Sequence, residues 1–78
     1  MNKFYFKERP LDLHTVNHPD VTHLVENYVL CRQNSFPLKI ITGDSKEMKR
    51  IVTECLKSHK FKYQIGDKFN KGYIIVLK

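Results

Sequence analysis

Two apolar stripes at helical spacing set the strongest limit on how this 78-residue chain can fold. Intervals of three and four residues place apolar side chains on one side of a helix, and that side must be covered by another element. The stripes are Val21, Leu24, Val25, Tyr28 and Val29, followed by Met48, Ile51, Val52, Cys55 and Leu56. The sequence therefore predicts two amphipathic helices that share a core.

Four further segments have the patterns of strands. Residues 11–14 and 61–65 alternate apolar and other side chains, and residues 37–41 form a short strand-like run before Gly43. Residues 73–77 are apolar on both faces, which is typical of an interior strand. The last two strands are joined by a short connector and should form a hairpin.

The resulting order is strand, helix, strand, helix, strand, strand. We expect an α/β two-layer sandwich in which both helices cover one face of a mixed sheet, with parallel pairing across the βα units. The other face should be open and should present Asp12, His14, Lys39, Lys62 and Gln64. The predicted domain covers residues 10–78, and residues 1–9 form an N-terminal arm or edge strand.

Composition restricts the partners of such a domain. Fourteen Lys and Arg residues against eight Asp and Glu residues give a net charge of +6, which attracts polyanions, nucleic acid most commonly. No apolar run is long enough for a transmembrane helix or a secretory signal. Cys31 and Cys55 lack C-x-x-C spacing, so we expect reduced thiols in a cytoplasmic protein.

Asp12 and His14 are the candidate catalytic residues. Two positions apart on a strand, their side chains share one face, and the carboxylate can orient or charge-stabilise the imidazole. Aspartate and histidine suit phosphodiester cleavage, which requires activation of a nucleophile and protonation of a leaving oxygen. A surface pair without function has the same pattern.

The loop from Thr42 to Ser45 is a candidate anion site. Gly43 between a strand and a helix allows backbone amides to point at a phosphate, and the hydroxyls of Thr42 and Ser45 add donors. Asp44 and Glu47 resemble a capping box, with Asp44 as the cap. Since ligand sites in open α/β sheets gather at the carboxyl ends of strands, we expect this loop to meet the Asp12–His14 pair.

The second helix carries most of the local basic charge. Between Lys46 and Lys62 there are six basic residues and two acidic ones. Lys46, Arg50 and Lys57 lie on one side of the predicted helix, opposite the apolar stripe, and such a basic stripe can follow a phosphate backbone. The predicted nucleic-acid contacts are Lys46, Lys49 and Arg50. The spacing of His14, His18 and His23 does not suit zinc, so the sequence predicts no metal site.

Taken together, Leu11-Asp12-Leu13-His14 and Leu38-Lys39-Ile40-Ile41-Thr42-Gly43 resemble the motifs of the Smr (small MutS-related) domain. The similarity covers roughly residues 10–78. It implies a two-layer α/β fold and a nucleic-acid-associated domain that cleaves RNA or nicks DNA. It also implies that Asp12 and His14 take part in cleavage and that Thr42 and Gly43 begin the glycine loop.

Two positions depart from the family pattern. Thr15 and Ser45 stand where the family has glycine, which affects catalysis more than binding or fold. We therefore expect a nucleic-acid-binding domain that is either a weak endonuclease or a non-cleaving binder. The alternative is a protein-interaction module that docks on an acidic partner, such as a ribosomal or repair complex. The residues identify no cofactor; a divalent cation such as Mg²⁺ is the one to test.

Overall fold

The computed structural model describes residues 5–66 and 69–78. It contains four strands, two α-helices and a short 3₁₀ turn at His18–Asp20. The strands are β1 (Leu11–Asp12), β2 (Leu38–Ile41), β3 (Tyr63–Ile65) and β4 (Tyr73–Val76), and the helices are α1 (Val21–Leu30) and α2 (Lys46–Ser58). The predicted element order is confirmed, although β1 is shorter than residues 11–14.

The strands form one mixed sheet in the order β1-β2-β4-β3. β1 and β2 are parallel, as expected for strands joined through a helix, and β4 is antiparallel to both β2 and β3. β4 is buried along its whole length, which confirms the interior strand predicted from its two apolar faces. The predicted hairpin is the β3–β4 pair.

The hydrophobic core lies between the two helices and one face of the sheet. Its members come from the helical stripes and from alternate strand positions, and all of them are at most 7% exposed. They are Leu13, Val21, Val25, Tyr28, Val29, Leu38, Ile40, Met48, Val52, Cys55, Leu56, Ile74 and Val76. The α/β sandwich with both helices on one face is therefore the fold of this chain.

One member of the predicted stripe lies outside the core. Leu24 is 37% exposed, whereas Val21 and Val25 are fully buried. At about 100° per residue, Leu24 is about 60° from Val21, on the side away from Val29. It therefore lies at the margin of the buried stripe.

The opposite face of the sheet is less open than predicted. Asp12 and Gln64 are exposed there, but Tyr73 and Ile75 on β4 are buried. Lys39 is half-buried, with its ammonium nitrogen 4.6 Å from the centroid of the Tyr73 ring. The long lysine side chain thus covers apolar surface while its charge stays near an aromatic face.

The segment before β1 is attached to α1. Of the predicted arm or edge strand, residues 1–4 lie outside the described residues, and residues 5–9 form no strand. The carbonyl oxygen of Arg9 accepts a hydrogen bond of 2.5 Å from Tyr28, and Glu8 pairs with Arg32 at 3.3 Å. Within residues 5–66 and 69–78, neither α1 nor α2 has the length and apolar content that crossing a bilayer requires.

Candidate nucleic-acid interface

The carboxyl ends of β1 and β2 lie side by side. The Leu13 amide donates to the Ile41 carbonyl at 2.8 Å, extending the parallel pairing by one residue beyond β1. A side-chain β-carbon placed on Gly43 would be 3.5 Å from the β-carbon of His14. The structure therefore brings the Asp12–His14 pair and the glycine loop together. We call Asp12, His14, Gly43 and Ser45 the strand-end site.

Asp12 and His14 are in direct contact. Oδ1 of Asp12 accepts a hydrogen bond from the His14 backbone amide at 3.1 Å and pairs with Nδ1 of the same residue. Hydrogen bonding to His14, first from its side chain and then from its amide, holds the pKa of Asp12 below its usual value. Both side chains are about half exposed, at 50% and 56%. The carboxylate orients the imidazole, and the ring's Nε2 has no partner within residues 5–66 and 69–78.

Thr42 requires a correction. Its side chain is 1% exposed and its hydroxyl donates to the Gly43 carbonyl at 3.0 Å, so the hydroxyl cannot contact a nucleic acid. The amides of Thr42 and Gly43 both donate to the Gly72 carbonyl at 2.9 Å. The start of the loop is thus bound to the β3–β4 connector, and these two amides are not available to a phosphate.

Ser45, rather than Asp44, caps the second helix. Its hydroxyl oxygen accepts from the Met48 amide at 3.1 Å, so the predicted cap at Asp44 is wrong by one residue. Within the described part of the chain, the amides of Lys46 and Glu47 have no partner, as is usual in the first turn of a helix. An anion at this edge would meet those two amides and the Ser45 hydroxyl.

The predicted basic contacts have different environments. Arg50 binds Glu47 through Nε at 3.0 Å and Glu54 through Nη1 at 2.9 Å. These bonds raise the pKa of Arg50, and the Arg50 bond lowers the pKa of Glu47. The two carboxylates offset the charge of Arg50, so Lys46 and Lys49 carry the basic charge near the strand-end site.

A second cluster of functional groups was not predicted from the sequence. Glu26 on α1 and Cys55 on α2 lie near His59, which follows α2, and one ligand atom from each lies within 4.8 Å of the other two. By its spacing in the sequence, Cys55 belongs to the apolar stripe of the second helix and not to the candidate ligands. The four-residue spacing of Cys55 and His59 was the available signal, since it places both on one side of a helix.

Comparison of the chain with known protein families, with characterised proteins and with solved structures finds no match.

Proposed function

We propose that this domain binds nucleic acid at the strand-end site. The observation that carries the proposal is the position of His14, which pairs with Asp12 and lies next to Gly43 in the loop that leads into α2. A carboxylate-oriented imidazole next to the loop that leads into a helix is suited to a phosphodiester, since the imidazole can transfer a proton and the first helical amides can bind an anion. The resemblance to Smr domains, carried by these same residues, supports the proposal.

Positive charge around the site comes from lysines. Lys46 is exposed in the first turn of α2, and Lys49 lies one turn further along. Lys71 is also exposed, and it precedes Gly72, whose carbonyl binds the Thr42 and Gly43 amides. With a net charge of +6 for the chain, these lysines make a phosphate backbone the favoured partner.

The β3–β4 connector adds an aromatic surface. Phe69 is 95% exposed, and the connector reaches the strand-end site through Gly72. An exposed ring on the same connector as Lys71 can stack on an unpaired base, and single-stranded or looped substrates present such bases.

The more specific proposed function is endonuclease activity at the same site. Nε2 of His14 takes a proton from the attacking oxygen, either a ribose 2′-hydroxyl or water. That oxygen bonds to phosphorus, the bond to the leaving oxygen breaks, and His14 returns its proton to the leaving oxygen. Asp12 keeps the imidazole oriented, because its carboxylate pairs with Nδ1. A cation such as Mg²⁺ would stabilise charge on the phosphate.

Binding is tested by titrating fluorescent RNA hairpins, single-stranded RNA and duplex DNA at several salt concentrations. Replacing both Lys46 and Lys49 with glutamine should make the plot of log affinity against log salt concentration less steep, reducing the magnitude of its negative slope by about two. Arg50→Gln should change it less, because Arg50 is paired with Glu47 and Glu54. Lys57→Gln is the matched control, because Lys57 lies in the last turn of α2, at the end away from the strand-end site. The absence of binding to every nucleic acid at low salt would overturn the proposal and favour an acidic protein partner.

Cleavage is tested with end-labelled RNA and supercoiled DNA, with Mg²⁺ and with EDTA. Asp12→Asn and His14→Ala should lose activity while binding persists, and His23→Ala is the control at another exposed histidine. Equal cleavage by the wild type and both variants would identify a contaminant. Binding without cleavage would show that the domain binds nucleic acid but is not a nuclease.

A further inference from the structure

We infer that Glu26, Cys55 and His59 form a site for a divalent transition metal of the zinc type. The site links α1 to α2 and is separate from the strand-end site.

The three side chains provide the donors that zinc favours. A thiolate, an imidazole and a carboxylate are each common zinc ligands, and a tetrahedral site with three protein ligands leaves one position for water. A thiolate and an imidazole are poor ligands for Ca²⁺ or Mg²⁺, which bind through oxygen. The donor set therefore selects a borderline or soft metal.

The backbone already holds these donors close together. Cys55 and His59 are four residues apart at the end of α2, and Glu26 faces them from α1. Nε2 of His59 is 2.8 Å from Oε2 of Glu26, and the three ligand atoms lie within 4.8 Å of one another. Around zinc, bond lengths of about 2.0–2.3 Å place ligand atoms roughly 3.3–3.7 Å apart. Opening the His59–Glu26 contact by less than about 1 Å would bring that pair to the zinc-ligand spacing, and no pair of ligand atoms is more than 4.8 Å apart.

The burial of the three donor side chains and the packing around them also suit a metal site. Cys55 is 5% exposed, whereas the side chains of Glu26 and His59 are 37% and 30% exposed, so the thiol lies inside and the other two donors reach solvent. The imidazole of His59 is stacked on Phe61, with ring centroids 5.8 Å apart, which restricts its orientation. The thiol makes only one weak hydrogen bond within the described residues, to the Thr22 carbonyl at 3.9 Å. Metal coordination would therefore displace little existing bonding at sulphur.

The first experiment is a Co²⁺ titration of tag-free, reduced protein. A thiolate ligand produces a near-ultraviolet charge-transfer band, and tetrahedral geometry produces strong visible bands. The wild type and Cys31→Ser should show both signals, since Cys31 is exposed and lies outside the cluster. Cys55→Ser should lose the charge-transfer band. Absence of the charge-transfer band in the wild type would overturn the inference.

The second experiment measures Zn²⁺ affinity and thermal unfolding. Saturation at about 100 times the dissociation constant should raise the melting temperature by roughly 10–20 °C. Glu26→Gln and His59→Gln keep side chains of similar size and are partly exposed, so they should fold. Each should lose more affinity than the roughly 10–100-fold associated with the loss of an outer-shell partner. Unchanged affinity in both variants would refute the site.

Alkylation provides a third readout that does not depend on a spectrum. In the Cys31→Ser background, Zn²⁺ should slow the reaction of Cys55 with iodoacetamide, and the His59→Gln variant should lose this protection. Protection of equal size in both proteins would show that the metal acts elsewhere. A buried thiol beside an ordinary Glu26–His59 hydrogen bond would give no metal-dependent protection at all.

Discussion

Replacing Gly43 with alanine tests why a glycine lies beside His14. Gly43 has a φ of +69°, in the left-handed region that L-residues rarely adopt. The added β-carbon would lie 3.5 Å from that of His14, which is an ordinary van der Waals separation. The structure therefore assigns the requirement for glycine to backbone conformation and not to lack of space.

The expected magnitude follows from two opposing effects. The left-handed conformation costs an alanine about 1–2 kcal/mol, and the reduced entropy of the unfolded chain offsets about 0.4–1 kcal/mol. The net destabilisation is about 1 kcal/mol, equivalent to roughly 4–8 °C in melting temperature for a domain of this size. Gly66→Ala should cost more, because its β-carbon would overlap the Asn70 carbonyl oxygen and approach Lys71 Cα to 2.7 Å.

The assay is equilibrium unfolding in urea, followed by circular dichroism, for Gly43→Ala, Gly43→Asn and Gly66→Ala. Asparagine tolerates the left-handed region better than alanine, so it should recover part of the lost stability. The expected order of stability, from highest to lowest, is Gly43→Asn, Gly43→Ala and Gly66→Ala. It would be refuted if Gly43→Ala were as stable as the wild type, or if asparagine were worse than alanine.

Three other substitutions probe the cap, the core and the Asp12–His14 pair. Ser45→Ala removes the cap of α2 and should cost about 1 kcal/mol in urea unfolding, whereas Asp44→Ala, at the position first predicted as the cap, should cost less. Leu56→Ala, at a site that is 1% exposed, should cost about 2–5 kcal/mol by thermal or urea unfolding, a large part of the stability of a small domain. Asp12→Asn should flatten the acid limb of a stability-against-pH curve. Because the pKa of Asp12 is lower in the folded protein, the ionised carboxylate stabilises the fold at pH values above its unfolded pKa near 3.8, and this stabilisation is lost as pH falls through the folded pKa. Equal acid limbs for the wild type and Asp12→Asn would contradict this expectation.

The sheet and helices were predictable because their signals are local. Apolar spacing from Val21 and from Met48 defined the helices, and the apolar run at residues 73–77 identified the interior strand. The pairing of Arg50 with Glu47 and Glu54 was also readable, since these residues are three and four positions apart on one helix. The count of basic and acidic residues between Lys46 and Lys62 did not take that pairing into account.

The parts that could not be predicted depend on tertiary contacts. Thr42 is buried at a point where its amide and that of Gly43 donate to the carbonyl of Gly72, which is distant in sequence. The gathering of Glu26 with Cys55 and His59 depends on how α1 packs along α2, and no local pattern determines that alignment. The N-cap of α2 could not be predicted for another reason. Asp44 and Ser45 are both favourable N-cap residues, and the residue at which the helical backbone begins decides which of them caps the helix.

The proposed metal site at Glu26, Cys55 and His59 and the strand-end site lie at opposite ends of α2. The helix begins after Ser45 and ends before His59, and 13 residues at about 1.5 Å each separate the two ends by roughly 20 Å. A metal bound by Cys55 and His59 therefore cannot reach a phosphate held beside His14. Any cation that the proposed cleavage requires would have to bind elsewhere, so His59→Gln should abolish the proposed stabilisation by zinc and leave nuclease activity unchanged. If His59→Gln lost cleavage while its fold and nucleic-acid affinity were intact, the two sites would be coupled and this separation would be wrong.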